Sequence, residues 1–180
     1  MSMQDPKFTE LYQENYPKVF SFLLNATNDP VLTEDLVQET FIRALNKLDT
    51  FRHEASIIVW LNRISYNLFL DHVRKKNPIL IDDFEGQVIA EDSSAEEVEQ
   101  KLMSECIRSK IQLLRENYRT PLYLDINGYS NQEIAEILNC SLDNAKIRLH
   151  RAKKKIKEIL DDDCNMYYDE RNVLCCSQKK

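Results

Sequence analysis

Apolar positions recur at helical spacing along most of the chain. Phe8, Leu11, Tyr12, Val19, Phe20 and Leu23 outline a first amphipathic helix. Pro17 is expected to kink or divide it, because proline lacks an N–H and crowds the preceding turn. Asn28-Asp29-Pro30 reads as a turn and then a helix start, with Asp29 as cap and Pro30 at the first helical position. This second helix runs to about Leu48 and buries Leu36, Val37, Phe41, Ala44, Leu45 and Leu48. Glu34, Asp35, Gln38, Glu39 and Arg43 fall largely on its other side. A short loop, Thr50 to Ala55, leads into a third helix from Ser56 to about Lys76. Ile57, Leu61, Ile64 and Leu68 face inward there, while Arg63, Asn67, Asp71 and Arg74, with Lys75, climb a polar face. Asp71 and Lys75 have the spacing of an i,i+4 ion pair. Trp60, Tyr66 and Phe69 lie beside that strip, and aromatic faces of this kind stack either on unpaired bases or in a core. Asn77-Pro78 closes the helix, since the residue before proline avoids helical backbone.

Helical periodicity returns at Ser94, which forms a capping box with Glu97. Val98, Leu102, Ile107, Ile111 and Leu114 carry that helix to about Glu116. Thr120-Pro121 then starts a short helix that Asn127-Gly128 ends. Ser130 and Glu133 make a second capping box, with Ile134, Ala135 and Leu138 after it on one apolar face. Asn139 tolerates left-handed backbone and Ser141 can cap the next helix. In that last helix Ala145, Leu149, Ala152, Ile156 and Ile159 share one stripe. Two short helices around a tight turn, with small Ala135 allowing close approach, predict a helix-turn-helix.

Charge sharpens this picture. The formal net charge is −6, unusual for a DNA binder, but it is unevenly spread. Residues 144–160 carry seven basic groups against one acidic, and residues 51–77 carry five against two. Residues 78–105 carry one basic group against nine acidic. Nucleic acid would therefore be met by two local patches rather than by the overall field. Only two glycines occur in 180 residues, and no stretch approaches a membrane span. The opening Met-Ser-Met-Gln-Asp-Pro lacks a basic-then-apolar leader, which predicts a cytoplasmic protein. The expected fold is all-α, with two small helical domains joined by an acidic linker. Residues 1–77 form the first domain and 78–93 the linker. Residues 94–160 form a four-helix domain with the helix-turn-helix, and 161–180 a cysteine-containing tail.

The five cysteines include no Cys-x-x-Cys pair, which disfavours an ordinary zinc finger, and no metal or cofactor is assigned. Cys106 and Cys140 lie in helical or turn patterns and read as small buried apolar residues. In the tail, a tight turn at Asp169-Glu170-Arg171-Asn172 would make a hairpin that brings Cys164 near Cys175 or Cys176. Inert thiols, a redox pair and a soft-metal site all remain open for it.

Asp35-Leu-Val-Gln-Glu-Thr-Phe-Ile-Arg-Ala, with Trp60-Leu-Asn-Arg-Ile-Ser-Tyr-Asn and Asp71-His-Val-Arg, resembles the second conserved region of bacterial sigma factors. Glu133-Ile-Ala-Glu-Ile-Leu, with Ala145-Lys-Ile-Arg-Leu-His-Arg-Ala, resembles their fourth region. A short acidic linker stands in place of the third region, as in the extracytoplasmic-function group of the sigma-70 family. The resemblance implies a non-enzymatic subunit that gives core RNA polymerase its promoter specificity. It implies that Asp35, Gln38, Glu39 and Arg43 dock on the β′ clamp helices, and that the β flap is a further polymerase contact. Arg52, His53, Ser56, Trp60, Arg63, Asn67, Asp71, Arg74 and Lys75 would open and hold the minus-ten element. Asn144, Lys146, Arg148, His150 and Arg151 would read the minus-thirty-five element. Promoter DNA and an anti-sigma protein are the other implied partners. The competing reading is a stand-alone helix-turn-helix regulator, with Cys164, Cys175 and Cys176 as a redox- or metal-responsive group. It would bind duplex DNA strongly without polymerase.

Overall fold

The computed structural model describes residues 6–51, 55–76, 106–168 and 174–179. The N-terminal half consists of α1 (Pro6–Thr27), α2 (Pro30–Lys47) with a 3-10 turn at Leu48–Thr50, and α3 (Ile57–Lys76). Pro17 does not divide α1. It is exposed, as is Gln13, so the carbonyl that loses its N–H partner can turn to water. The α1–α2 corner is built as its sequence predicts. Asn28 takes a φ of 52°, and the Asp29 carboxylate accepts the N–H groups of Val31 and Leu32 at 3.0 and 3.1 Å. The buried Thr27 and Thr33 hydroxyls meet at 2.7 Å and satisfy each other beneath the corner. Val19, Phe22, Leu23, Val37, Phe41, Val59 and Leu61 fill the space between the helices.

The C-terminal half begins, within the described residues, at helical residues 106–112, here α4. It continues through α5 (Glu116–Ile126), α6 (Asn131–Ile137) and α7 (Leu142–Asp163). The expected Ser94 capping box and acidic linker lie outside the described residues. Two boundaries differ from expectation. The helix of Ile107 and Ile111 stops at 112 rather than near Glu116, and α5 begins at Glu116 rather than Thr120. Glu116 accepts the Thr120 hydroxyl at 3.1 Å and Arg119 turns inward, so the turn before Pro121 is held helical by its side chains. Pro121 therefore sits inside a helix, at a cost of about 3 kcal/mol. Burial of Pro121, Leu122 and Leu124 offsets it.

The helix-turn-helix matches the sequence pattern closely. Ser130 and Glu133 form the reciprocal capping box, Asn139 has a φ of 50°, and Ser141 Oγ accepts the Asn144 N–H at 3.2 Å. Ala145, Leu149 and Ala152 are buried, and Ile156 and Ile159 pack half-buried against the same core. After α7 the chain forms the expected hairpin, β1 (Cys164–Tyr168) antiparallel to β2 (Leu174–Gln178), pairing Met166 with Cys176 and Cys164 with Gln178. The turn proposed at Asn172 lies outside the described residues.

The halves do not stand apart. Their buried side chains form one continuous cluster. Arg119, fully buried in α5, donates to Ala26 O at the end of α1 (2.9 Å) and to Gln112 O and Leu114 O (3.3 and 3.5 Å). A guanidinium at a helix C-terminus meets unsatisfied carbonyls and the negative end of the helix dipole. Burial lowers its pKa. Asn62 donates to the Tyr129 hydroxyl at 3.0 Å, and the Ser21 and Tyr123 hydroxyls meet at 2.7 Å. Tyr66, only 3 % exposed, donates to Glu116 at 2.8 Å.

Burial, and then the Glu116 carboxylate, push the Tyr66 pKa well above its ordinary value of 10.0. The folded state thus holds this proton more tightly than the unfolded chain does. Its contribution to stability is complete below about pH 10 and is lost as pH rises through the higher folded value. Denaturant titrations across that range should show stability falling with pH, and Tyr66→Phe should flatten the fall.

Candidate nucleic-acid interface

The first three turns of α7 present the basic surface predicted for a recognition helix. Asn144, Lys146, His150 and Arg151 are exposed. Arg148 is half-buried, and its Nε donates to Asn144 Oδ1 at 2.9 Å, which fixes two side chains as one unit. Its charge lowers the pKa of Tyr66 and of Cys140, against the larger upward effect of burial at each. Ile147 was not among the predicted readers, yet it is 50 % exposed between Lys146 and Arg148. An apolar residue off the Ala145–Leu149–Ala152 stripe was the available signal. Such a side chain suits a thymine methyl group in the major groove. Further along, Lys153 pairs with Asp125 at 2.8 Å and Lys155 lies 5.5 Å from the Tyr118 ring centre, so these cations bind the helix to α5.

On α3, Arg63, Asp71, Arg74 and Lys75 are exposed and Asn67 is half-buried, as a polar strip requires. The ion pair of Asp71 forms with Arg74 at 3.5 Å, rather than with Lys75, and both groups are well exposed. Ser56 precedes the helix and accepts the Trp60 N–H at 3.2 Å; Arg52 and His53 lie outside the described residues. Trp60 is half-buried, its ring 5.1 Å from that of Phe51. Tyr66 and Phe69, at 3 % and 4 % exposure, are core residues and present no face to a base in this arrangement. The turn of the helix-turn-helix lies against this strip. Arg63 donates to Asn139 Oδ1 at 3.5 Å, and both line a small cavity with Ala135, Glu136, Cys140 and Ser141.

The α2 face also stands clear. Asp35, Gln38 and Arg43 are exposed, and half-buried Glu39 accepts from Arg43 Nε at 2.7 Å. Within the tail, Cys164 is buried, and Cys176 comes close to it. Cys106 joins them from α4. Its spacing in sequence carries no hint of this, and its reading as a mere apolar filler misses the contact.

Residues 11–79 match Sigma-70 region 2, and residues 104–156 match Sigma-70 region 4. The chain is 35% identical to the ECF RNA polymerase sigma factor SigM of Bacillus subtilis (strain 168), over 87% of this chain and 96% of that protein. The chain belongs to the extracytoplasmic-function group of sigma-70 factors. It is also 31% identical to SigW of the same organism, over 86% of this chain and 89% of that protein. The sigma factor RpoE of Bartonella quintana, solved in complex with the anti-sigma factor NepR, has the same fold. Its TM-score is 0.66 at 22% identity, covering 86% of this chain and 97% of that one. This sigma factor is an initiation factor directing transcription. Its two family regions fall on the two helical halves, with the α2 and α3 faces in the first and the α7 face in the second. Among the described residues no helix is long and apolar enough to cross a membrane.

Proposed function

We propose that this sigma factor divides its work between its halves, without catalysis of its own, in the cytoplasm. Asp35, Gln38, Glu39 and Arg43 dock on the β′ clamp helices of core polymerase. The polar strip along α3 and the residues before it, Arg52, His53, Ser56, Trp60, Arg63, Asn67, Asp71, Arg74 and Lys75, receive the opened minus-ten strand. Asn144, Lys146, Arg148, His150 and Arg151 read the duplex minus-thirty-five element, with Ile147 added to that set. An anti-sigma protein is the natural antagonist, as the RpoE relative solved in complex with the anti-sigma factor NepR suggests. The supporting observation is that the charged faces of α2 and α7 are open on different halves of one protein.

Size adds a requirement. A compact chain of 180 residues has a radius of gyration of about 16 Å, hence a diameter of about 40 Å. Elements centred about 25 base pairs apart are separated by about 85 Å of duplex at roughly 3.4 Å per pair. The arrangement with Arg63 on Asn139 cannot span both, so α3 and α6 must part when the promoter is engaged. The covalent tether permits it, since the 29 residues between Lys76 and Cys106 reach about 95 Å at full extension.

Transcription from a random promoter library with core polymerase tests the reading. Addition of the full chain should select one bipartite motif, and Lys146→Ala should weaken initiation and relax the preference at the upstream position it reads. Strong duplex binding by the chain alone, with no effect on start sites, would favour the stand-alone regulator.

A further inference from the structure

Cys106 of α4, Cys164 at the end of α7 and Cys176 of β2 place their Sγ atoms within 4.8 Å of one another. Nothing in promoter recognition uses them, and the cluster lies at the far end of α7 from its basic first turns. Three elements meet there. Cys164 caps α7, its N–H donating to Leu160 O. Lys110, one turn along α4 from Cys106, pairs with Asp163 at 2.5 Å. The Lys179 N–H donates to Asp163 O at 2.9 Å and secures the second strand.

We propose that Cys106, Cys164 and Cys176 form a binding site for a thiophilic d10 metal ion, with Zn2+ or Cd2+ as its occupant. Tetrahedral zinc with sulfur at about 2.3 Å sets S···S distances near 3.8 Å, so these thiols need to close by about 1 Å at most. The donor set is all sulfur, the chemistry that selects such ions over Mg2+ or Ca2+. Binding releases the three thiol protons to solvent and leaves a centre of net charge −1 beside the Lys110 ammonium. Burial, and then the neighbouring Cys106 and Cys176, raise the Cys164 pKa. A disulfide would strand one of the three, and the strand register sets Cys164 and Cys176 in diagonal rather than directly opposed positions. The metal's effect would be to fasten the hairpin to α4 and α7, making the order of the tail depend on metal supply. The sequence left a soft-metal site open for the tail thiols alone, and Cys106 adds a third sulfur from α4.

Titrating the reduced full chain with Cd2+ reads the site through the ultraviolet thiolate-to-metal charge-transfer band. The expected result is saturation at one ion per chain, displacement by Zn2+, loss of the band in Cys164→Ser and Cys176→Ser, and an unchanged band in Cys140→Ser. Cys176 is half-buried in the terminal hairpin, so its variant remains informative if the buried Cys164 variant misfolds; far-ultraviolet circular dichroism separates the cases. No stoichiometric band in the wild-type chain would overturn the proposal. So would a full band in folded Cys176→Ser, dependence on Cys140, or a Cys164–Cys176 disulfide that forms in air while the reduced chain ignores metal.

Discussion

Reversing charge on α2, by Asp35→Lys with Glu39→Lys, should reduce promoter-directed transcription by more than about 100-fold while leaving the fold intact. The substitutions are on an open helical face, where stability changes stay within about 0.5 kcal/mol. Glu39 loses its 2.7 Å pair with Arg43, but that pair is solvent-exposed and contributes little. A docking surface responds differently. Like charges forced together at an interface cost several kcal/mol, and about 2.7 kcal/mol is already 100-fold in affinity. Pull-down of core polymerase and transcript yield should fall together, with an unchanged circular dichroism spectrum. Normal yield from the double variant would remove α2 from the polymerase contact.

Arg119→Ala should carry the largest stability loss, about 3 kcal/mol, lowering the thermal midpoint by roughly 6–12 °C. The guanidinium is fully buried and links α5 to the last carbonyls of α1 and α4. Truncation removes its aliphatic stem from the core and leaves Ala26 O, Gln112 O and Leu114 O without their donor. Relief of the desolvation cost of a buried charge opposes this, which keeps the estimate below the upper range for buried charge partners. Arg119→Lys should fall between the two, because one ammonium lacks the planar fork that reaches both sides of the seam. Differential scanning calorimetry measures the shift. A change under about 1 °C in Arg119→Ala would mean that the two halves gain nothing from this contact.

The seam is also where sequence was least informative. Local rules served well wherever the cause was local. Asp29 and Pro30, the Ser130–Glu133 box, the left-handed Asn139 and the Ala145–Leu149–Ala152 stripe all appear where the residues dictate. Long-range partners leave no such trace. Arg119 lay in an unassigned stretch ahead of Thr120-Pro121 because its reason for being helical, Ala26 O, belongs to α1. Tyr66 and Phe69 fit a base-stacking strip by spacing, but both are buried in the core, and Tyr66 bonds across the seam to Glu116. Arg148 had the position of a DNA reader, and it is half-buried, bonded to Asn144 of its own helix. The face of α2, by contrast, was legible, because exposed charge opposite a clean apolar stripe needs no distant partner.

The division of labour itself can be measured on two versions of one promoter, an intact duplex and the same DNA with the minus-ten element mispaired into a bubble. With core polymerase and the full chain, Arg74→Ala and Trp60→Ala should initiate poorly on the duplex and recover most of their yield on the bubble, which supplies the opened strand. Lys146→Ala with Arg151→Ala should remain deficient on both, because duplex contacts upstream are not replaced by opening. Recovery of the α7 variant on the bubble, with no recovery by the α3 variants, would contradict the assignment of strand capture to one half and duplex reading to the other.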